Sequence, residues 1–326
     1  MPVREYTVVD AATKLGVNQM TVRRWAKSGK IKARRLGKRW MLDARAVDAA
    51  AGPPAAVKRS LEIQKSVAHV LARRRLRDWL PDALGYEDVS NDRSSLIRVA
   101  ERRWQDGDLE GRQLEHIPIP KDRVSFRPGA LLRLENEVLL DAVVLSMAAQ
   151  IEAALGPEVY SYRVAMSSSK NLLVDQSKAW GRFQEVQRDA PADGWTHVLV
   201  TDVAGFYEYI DADVLHDTLG DLGVDPEDTG AVKGLMKGWH KKSGLRGLPQ
   251  GPDASAVLSN AYMVPVDEEM NSLCRTHSWK YARWSDDIRV FTHSADSART
   301  AAFRLSFGRQ ASRALLTGLQ DADRYC

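Results

Sequence analysis

Two cysteines in 326 residues, Cys274 and Cys326, are too few for a disulfide framework or a zinc knuckle, and a reduced, cytoplasmic setting is the simplest expectation. Long apolar runs are lacking too. The run near Ala142–Ile151 stops at Glu152, short of the ~20 residues that a membrane helix needs, so no membrane partner is expected. The N-terminus carries Arg4, Glu5 and Asp10 in place of an apolar stretch and cleavage site, and no secretory signal is visible. What is present, 44% hydrophobic and 28% charged residues, matches a globular chain long enough for two or three units.

Charge is unevenly spread. Residues 1–50 hold twelve Lys or Arg against four acids, a net +8, so the rest carries −4 of the +4 total. A positive front end on a slightly acidic body suggests a polyanionic partner for the front. Tyr6–Leu15 reads as a short strand and then a helix with Val9, Ala12 and Leu15 inward. Gly16 supplies a turn, and Asn18 can cap a second helix running to about Ser28. In that helix Val22, Trp25 and Ala26 share one face, Thr21, Arg24 and Lys27 the other, with Arg23 at its edge. Strands are expected at Ile31–Leu36 and Arg39–Leu42, around a Gly37-Lys38 turn. This order, over residues 5–50, resembles the winged helix-turn-helix of the excisionase and MerR-like family, which implies that the second helix enters the major groove of duplex DNA. Thr21, Arg23 and Arg24 would then meet bases, and Arg24, Lys27, Lys38 and Arg39 phosphates.

Ala50–Ala56 reads as a linker, and a helical pattern resumes at Val57. The cluster Arg73-Arg74-Arg75-Leu76-Arg77 either follows a nucleic-acid backbone or forms a solvated helix face.

Three segments further on carry the chemistry. Val200-Thr201-Asp202-Val203-Ala204-Gly205-Phe206-Tyr207 begins in an apolar stretch, His197–Asp202, that reads as a central strand with Asp202 near its end. Leu248-Pro249-Gln250-Gly251-Pro252-Asp253-Ala254-Ser255 is a turn into a helix from about Ala254 to Asn271 that carries Ser255 and Asn260. Tyr281-Ala282-Arg283-Trp284-Ser285-Asp286-Asp287-Ile288 places two carboxylates at the tip of a hairpin whose strands are Trp279–Trp284 and Ile288–Thr292. Asp213–Leu222 reads as a helix covering the sheet.

In this order the three segments resemble the palm motifs of reverse transcriptases: a catalytic Asp followed by an aromatic gate, an LPQGxxxS turn, and a YxDD-like turn in which Trp284 replaces the usual Tyr. Arg283 and Tyr281 match the family's YxRY arrangement, and Val159-Tyr160-Ser161-Tyr162-Arg163 resembles its segment before the palm. Ile117–Pro128 resembles the fingers hairpin, with Lys121 and Arg127 at the positions that grip a triphosphate.

The resemblance implies an α+β fold: right-hand polymerase fingers and palm, an antiparallel sheet with flanking helices, behind a small winged helix-turn-helix domain. The expected boundaries are 1–50 for the DNA-binding domain, 51–115 for a linker and helical connector, and 116–326 for fingers and palm. It implies RNA-directed DNA polymerisation with Asp202, Asp286 and Asp287 catalytic, and with two Mg2+ or Mn2+ ions held by these carboxylates and Val203. Phe206, Tyr207, Gln250 and Gly251 would meet the incoming deoxynucleotide, Tyr207 obstructing a 2′-hydroxyl. Expected partners are an RNA template, a DNA or RNA primer, dNTPs and, through residues 1–50, duplex DNA. Only 39 residues follow Asp287 and Lys280 is the last lysine, so no thumb matches, which leaves three readings: a truncated chain, a protein partner that supplies the thumb function, or an impaired enzyme. The absence of a Cys/His-rich endonuclease module and of retron signatures leaves an uncharacterised or phage-defence-associated bacterial group. Two other functions fit the residues: a DNA-binding regulator with a degenerate, non-polymerising palm, and a template-independent nucleotidyl transferase.

Overall fold

The computed structural model describes residues 5–15, 19–37, 39–51, 60–77, 92–109, 111, 114–120, 126–168 and 170–307. The chain divides into two units, Met1–Arg59 and Ser60–Cys326.

In the first unit β1 (Glu5–Thr7) leads into α1 (Val8–Leu15) and α2 (Gln19–Lys27), followed by β2 (Ala33–Leu36), β3 (Arg39–Asp43) and α3 (Ala44–Ala51). The strands form an antiparallel sheet in the order β1-β3-β2. The start of α1 is set by a reciprocal cap. The Thr7 N–H donates to the Asp10 carboxylate at 3.2 Å, and the Asp10 N–H donates to Thr7 Oγ1 at 3.2 Å. Starting the helix at Val8 turns Val8, Ala11 and Ala12 into the core with Val22, Ile31, Leu42 and Val47. Val9, expected to point inward, is instead 54% exposed, because the cap places the buried stripe one residue earlier. On the second helix Val22 and Ala26 are buried while Arg23, Arg24 and Lys27 are exposed, as the periodicity requires.

The second unit begins with α4 (Ile63–Arg77) and α5 (Arg93–Gln105), then the hairpin β4 (Glu115–Pro120) and β5 (Phe126–Leu131). Next come α6 (Leu134–Ala154), α7 (Gln176–Asp189), β6 (His197–Thr201), the single turn α8 (Phe206–Tyr209), α9 (Ala212–Asp221) and α10 (Pro226–Ser243). The last described elements are α11 (Asp253–His277), β7 (Lys280–Trp284), β8 (Asp287–Thr292) and α12 (Ala295–Phe307). Helices α6 and α11 are buried along most of their length and form the centre of the main core. Asp211 and Asp225 cap α9 and α10 by accepting backbone N–H groups, which fixes where each begins.

The second sheet is antiparallel in the order β6-β8-β7. Ile288 and Val290 of β8 face the main core, while Phe291, two residues from Arg289, joins Phe183 of α7 in a smaller cluster on the other face. The sheet therefore has the core beneath it and α7 above. Strand β6 was expected to be central; among the described residues it lies at the edge and pairs with β8 alone. Its apolar residues mislead because they alternate, with Val198 41% and Val200 55% exposed.

Candidate active site

The three segments meet on one cleft of about 520 Å3, lined by Asp202, Val203, Phe206, Tyr207, Gln250, Asp286 and Asp287 together with Phe126, Tyr162, Trp180 and Trp284. Asp202 follows the end of β6, whereas Asp286 sits in the two-residue turn between β7 and β8. Asp287 is not in that turn: it begins β8, paired with Trp284. Continuing the β6–β8 register by one residue beyond Thr201↔Ile288 sets Asp202 opposite Asp287. Burial pushes the Asp287 carboxyl up from its ordinary range, the Arg289 guanidinium pulls it back, and the neighbouring Asp202 pushes it up again.

A buried polar network holds the carboxylate turn. Arg283 is 0% exposed and donates to both Asp267 oxygens, at 2.8 and 2.6 Å, to Asn260 Oδ1 at 2.9 Å and to the Ser285 carbonyl at 3.0 Å. Tyr281 donates to Asp267 at 2.7 Å. Ser161 links the far side: its hydroxyl accepts from the Ser285 N–H at 2.7 Å, and its carbonyl accepts from Asn260 at 2.8 Å. Burial works to lower the Arg283 pKa and the Asp267 carboxylate outweighs it, so the guanidinium stays protonated. Ser285 is thereby kept at φ 58°, a left-handed conformation that a non-glycine residue adopts only when its surroundings hold it there. Trp284 turns to the other face and meets Trp180, Phe183 and Tyr162 at ring separations of 4.9, 6.0 and 6.1 Å.

The two aromatics after Asp202 divide their roles. Phe206 is 4% exposed and belongs to the core, although its edge reaches the cleft. Tyr207 is half-buried. Burial pushes its phenol up, Tyr162 and Asp286 add to the shift, and hydrogen bonds with Ser259 and Ser285 oppose it. Its backbone is pinned by the next motif, since the Leu248 N–H donates to the Tyr207 carbonyl at 2.9 Å. Gly247 makes this approach feasible: its φ is +68°, and a Cβ there would run into the Tyr207 carbonyl oxygen.

Gln250 lines the cleft, whereas Gly251, expected beside it, is not among the lining residues. The Gln250 carbonyl accepts from the Ala130 N–H of β5 at 3.1 Å, which ties the turn to the β4–β5 hairpin. At Gly251 the demand is conformational, a φ of +141°, because a Cβ would meet nothing nearer than the Ala130 oxygen at 3.5 Å. Arg73 donates to the Gly251 carbonyl and, at 2.7 Å, to Glu137, and lies 3.3 Å from Asp253. The first arginine of the basic cluster is half-buried and braces the Gln250 turn. Arg163 is likewise a tie within the fold, donating to Glu152 at 2.9 Å and to the Gly156 carbonyl at 2.9 Å.

Of the remaining sequence-derived residues, Lys121 and Lys38 lie outside the described residues, as does the 52–59 stretch of the expected linker. Arg127 is on β5 opposite Ile119. Thr21 is half-buried on α2, and Arg39 is exposed at the start of β3.

Sequence reasoning passed over Arg289. It donates to both Asp287 oxygens, one of them at 2.8 Å, and also reaches Gln187 Oε1 at 3.3 Å and the face of the Phe183 ring at 5.7 Å. Its spacing was the available signal: on a strand, residues i and i+2 share a face, so an Asp287/Arg289 pair is bound to be adjacent.

The carboxylates and the Val203 carbonyl are hard oxygen donors of the type that suits Mg2+ or Mn2+, and two mutually repelling acids opposite each other favour a cation between them. Among the described residues, however, no group of three His, Cys, Asp or Glu side chains is already arranged to hold a metal ion. The donor chemistry fits such an ion; the Arg289 guanidinium on Asp287 stands in its way.

Residues 5–51 match the family model of a helix-turn-helix domain. No curated protein matches the chain. Among solved structures, the chain is similar to telomerase from Candida albicans in complex with a TWJ fragment of telomeric RNA, with 13% identity and a TM-score of 0.41 over 62% of this chain and 41% of that one. It is also similar to apo telomerase from Candida tropicalis truncated from its C-terminal domain, with 10% identity and a TM-score of 0.44 over 64% of this chain and 48% of that one. The chain thus spans less than half the length of either telomerase chain, and likenesses of this size carry no argument about chemistry.

Proposed function

We propose that this protein is an RNA-directed DNA polymerase whose front module binds duplex DNA. The observation that supports it most is the convergence of Asp202, Asp286 and Asp287 with Tyr207 and Gln250 on one cleft, from three segments far apart in the chain. Asp202, Asp286, Asp287 and the Val203 carbonyl would hold Mg2+ or Mn2+, which when bound supplies charge neutralisation for a phosphoryl centre and a primer hydroxyl. The chain's own contribution is orientation. The Arg283 network fixes the Asp286 turn, Tyr207 sets the floor under the sugar, and the turn braced by Arg73 presents Gln250 to the nucleotide. In the front module, the helix-turn-helix match over residues 5–51 supports duplex binding through α2, with Arg23, Arg24 and Lys27 exposed upon it.

The test is primer extension on RNA and DNA templates, with dNTPs and rNTPs and with Mg2+ or Mn2+, beside a gel-shift titration of duplex at two salt concentrations. The wild type should extend a primer on RNA, and Asp286→Asn, with its fold intact, should lose incorporation by more than about 10³-fold, because an amide cannot balance cation charge. Duplex binding should weaken steeply with salt and be lost from a chain lacking residues 1–50. Unchanged incorporation by Asp286→Asn rules out the assignment.

One observation favours the second reading, a DNA-binding regulator with a non-polymerising palm: Asp287 already has a cationic partner in Arg289. Salt-sensitive duplex binding with no incorporation on any template would decide for it.

A further inference from the structure

Arg289 lies on the central strand β8 with its side chain mostly buried. Both of its terminal nitrogens are spent on the two oxygens of one carboxylate, and that carboxylate lies opposite Asp202 at the mouth of the cleft. A second set of contacts is made at the same time: the Gln187 amide oxygen at 3.3 Å and the Phe183 ring at 5.7 Å. These belong to α7, which borders a hollow of about 400 Å3 lined by Trp180, Phe183, Gln184, Gln187, Arg188 and Arg289 itself. The side chain therefore has one partner in the cleft, another outside it, and room beside the second.

We infer that Arg289 is the resident cation of the cleft, holding Asp287 through its bidentate pair and yielding that carboxylate when a divalent cation binds, its terminal nitrogens then turning into the hollow beside Gln187 and Phe183, which the side chain already touches. This rests on the cation-binding reading of Asp202, Asp286 and Asp287. Asp202 and Asp287 face each other, and holding two carboxylates together requires a counter-charge. A guanidinium in fork geometry supplies a single charge directed at a single carboxylate, whereas a divalent ion can serve several at once. The two cations compete for the same Asp287 oxygens, so a divalent ion that engages all three carboxylates draws Asp287 away from the guanidinium. Arg289 would thereby keep the cleft ordered before a cation arrives, and would set the concentration at which one is taken up.

The experiment measures Mn2+ binding directly, by the loss of the free-ion electron paramagnetic resonance signal, in the full chain without nucleotide or nucleic acid. Arg289→Gln should bind Mn2+ about tenfold or more tightly than the wild type, since a charge-assisted bidentate competitor has been removed. Arg289→Lys, which keeps the charge but loses the fork, should fall between the two. Arg188→Gln removes an exposed positive charge from the same hollow and should leave the affinity within about twofold of wild type. In chelator, Arg289→Gln should unfold at a lower temperature than wild type, and Mn2+ should close the gap. Circular dichroism confirms that each variant is folded.

Equal Mn2+ affinity in wild type and Arg289→Gln overturns the exchange while leaving the cation site standing. Arg289→Lys behaving as wild type while Arg289→Gln tightens binding also overturns it, because the effect would then be a field and not occupancy. Failure of all forms to bind Mn2+ at millimolar concentration overturns the cation site and the exchange together.

Discussion

The cleft's carboxylates are carried by two elements held in opposite ways. Asp286 projects from a hairpin whose underside is a closed polar network, with Arg283 buried and bonded to Asp267, Asn260 and Ser285. Asp202 follows an edge strand with one neighbour and two exposed valines, Val198 and Val200. The difference teaches that the site is built from one rigid wall and one adjustable wall. Buried hydrogen-bonded charge leaves the turn no low-energy alternative, while an edge strand with a solvated face can shift at small cost.

The most damaging change to this arrangement should be Arg283→Met. It strips a buried carboxylate of its counter-charge and frees the Ser285 carbonyl, so stability in urea should fall by about 3–5 kcal/mol. Whatever folds should bind Mn2+ poorly, because one of the two hydrogen bonds that hold the Ser285 backbone is then gone. If Arg283→Met unfolds within about 1 kcal/mol of wild type, the turn is braced by something else.

A smaller effect is expected where the two walls meet. Tyr207 belongs to the segment after Asp202 but leans on Ser259 and Ser285 of the rigid side. Tyr207→Ala should raise the efficiency of ribonucleotide use relative to deoxynucleotide use by roughly tenfold, an amount typical of removing a steric block in a pocket. Steady-state incorporation of matched rNTP and dNTP pairs measures it. A fixed ratio moves the gate to Phe206.

The smallest effect should come from the adjustable wall itself. Val200→Thr keeps the β-branch and adds a hydroxyl that water can reach, so stability should stay within about 0.5 kcal/mol of wild type. A loss of 2 kcal/mol or more in urea would show that the exposed face of β6 is covered in solution and would remove the contrast drawn between the walls.

Much of this architecture is legible from local pattern. Val22 and Ala26 at helical spacing, the Gly37 turn and the alternating strands define the front unit, and the family match over residues 5–51 falls on the same segment. The hairpin around Asp286 is likewise read from its two apolar strands. Other features were misread, one through a local cap that was passed over and the rest because non-local partners decide them. Val9 points outward because Thr7 and Asp10 cap α1 one residue early. His197–Thr201 has the composition of a central strand, yet β8 took the middle position, and strand order is set by which faces α7 and the core cover. Arg73 sat in a basic cluster that suggested solvent or nucleic acid, and only the fold brings Glu137 and the Gly251 carbonyl to it from 64 and 178 residues away.

By itself, then, the order of residues determined the elements and the three segments that carry the carboxylates, because helix and strand periodicity, caps and turn chemistry act within a few residues of their cause. Tertiary structure alone decided how those carboxylates are neutralised and held. Arg283 finds Asp267, and Arg73 finds Gly251, only once distant helices and strands are packed together. Ionic and hydrogen-bonding partners are chosen by distance in space, and no sequence pattern short of the fold records it.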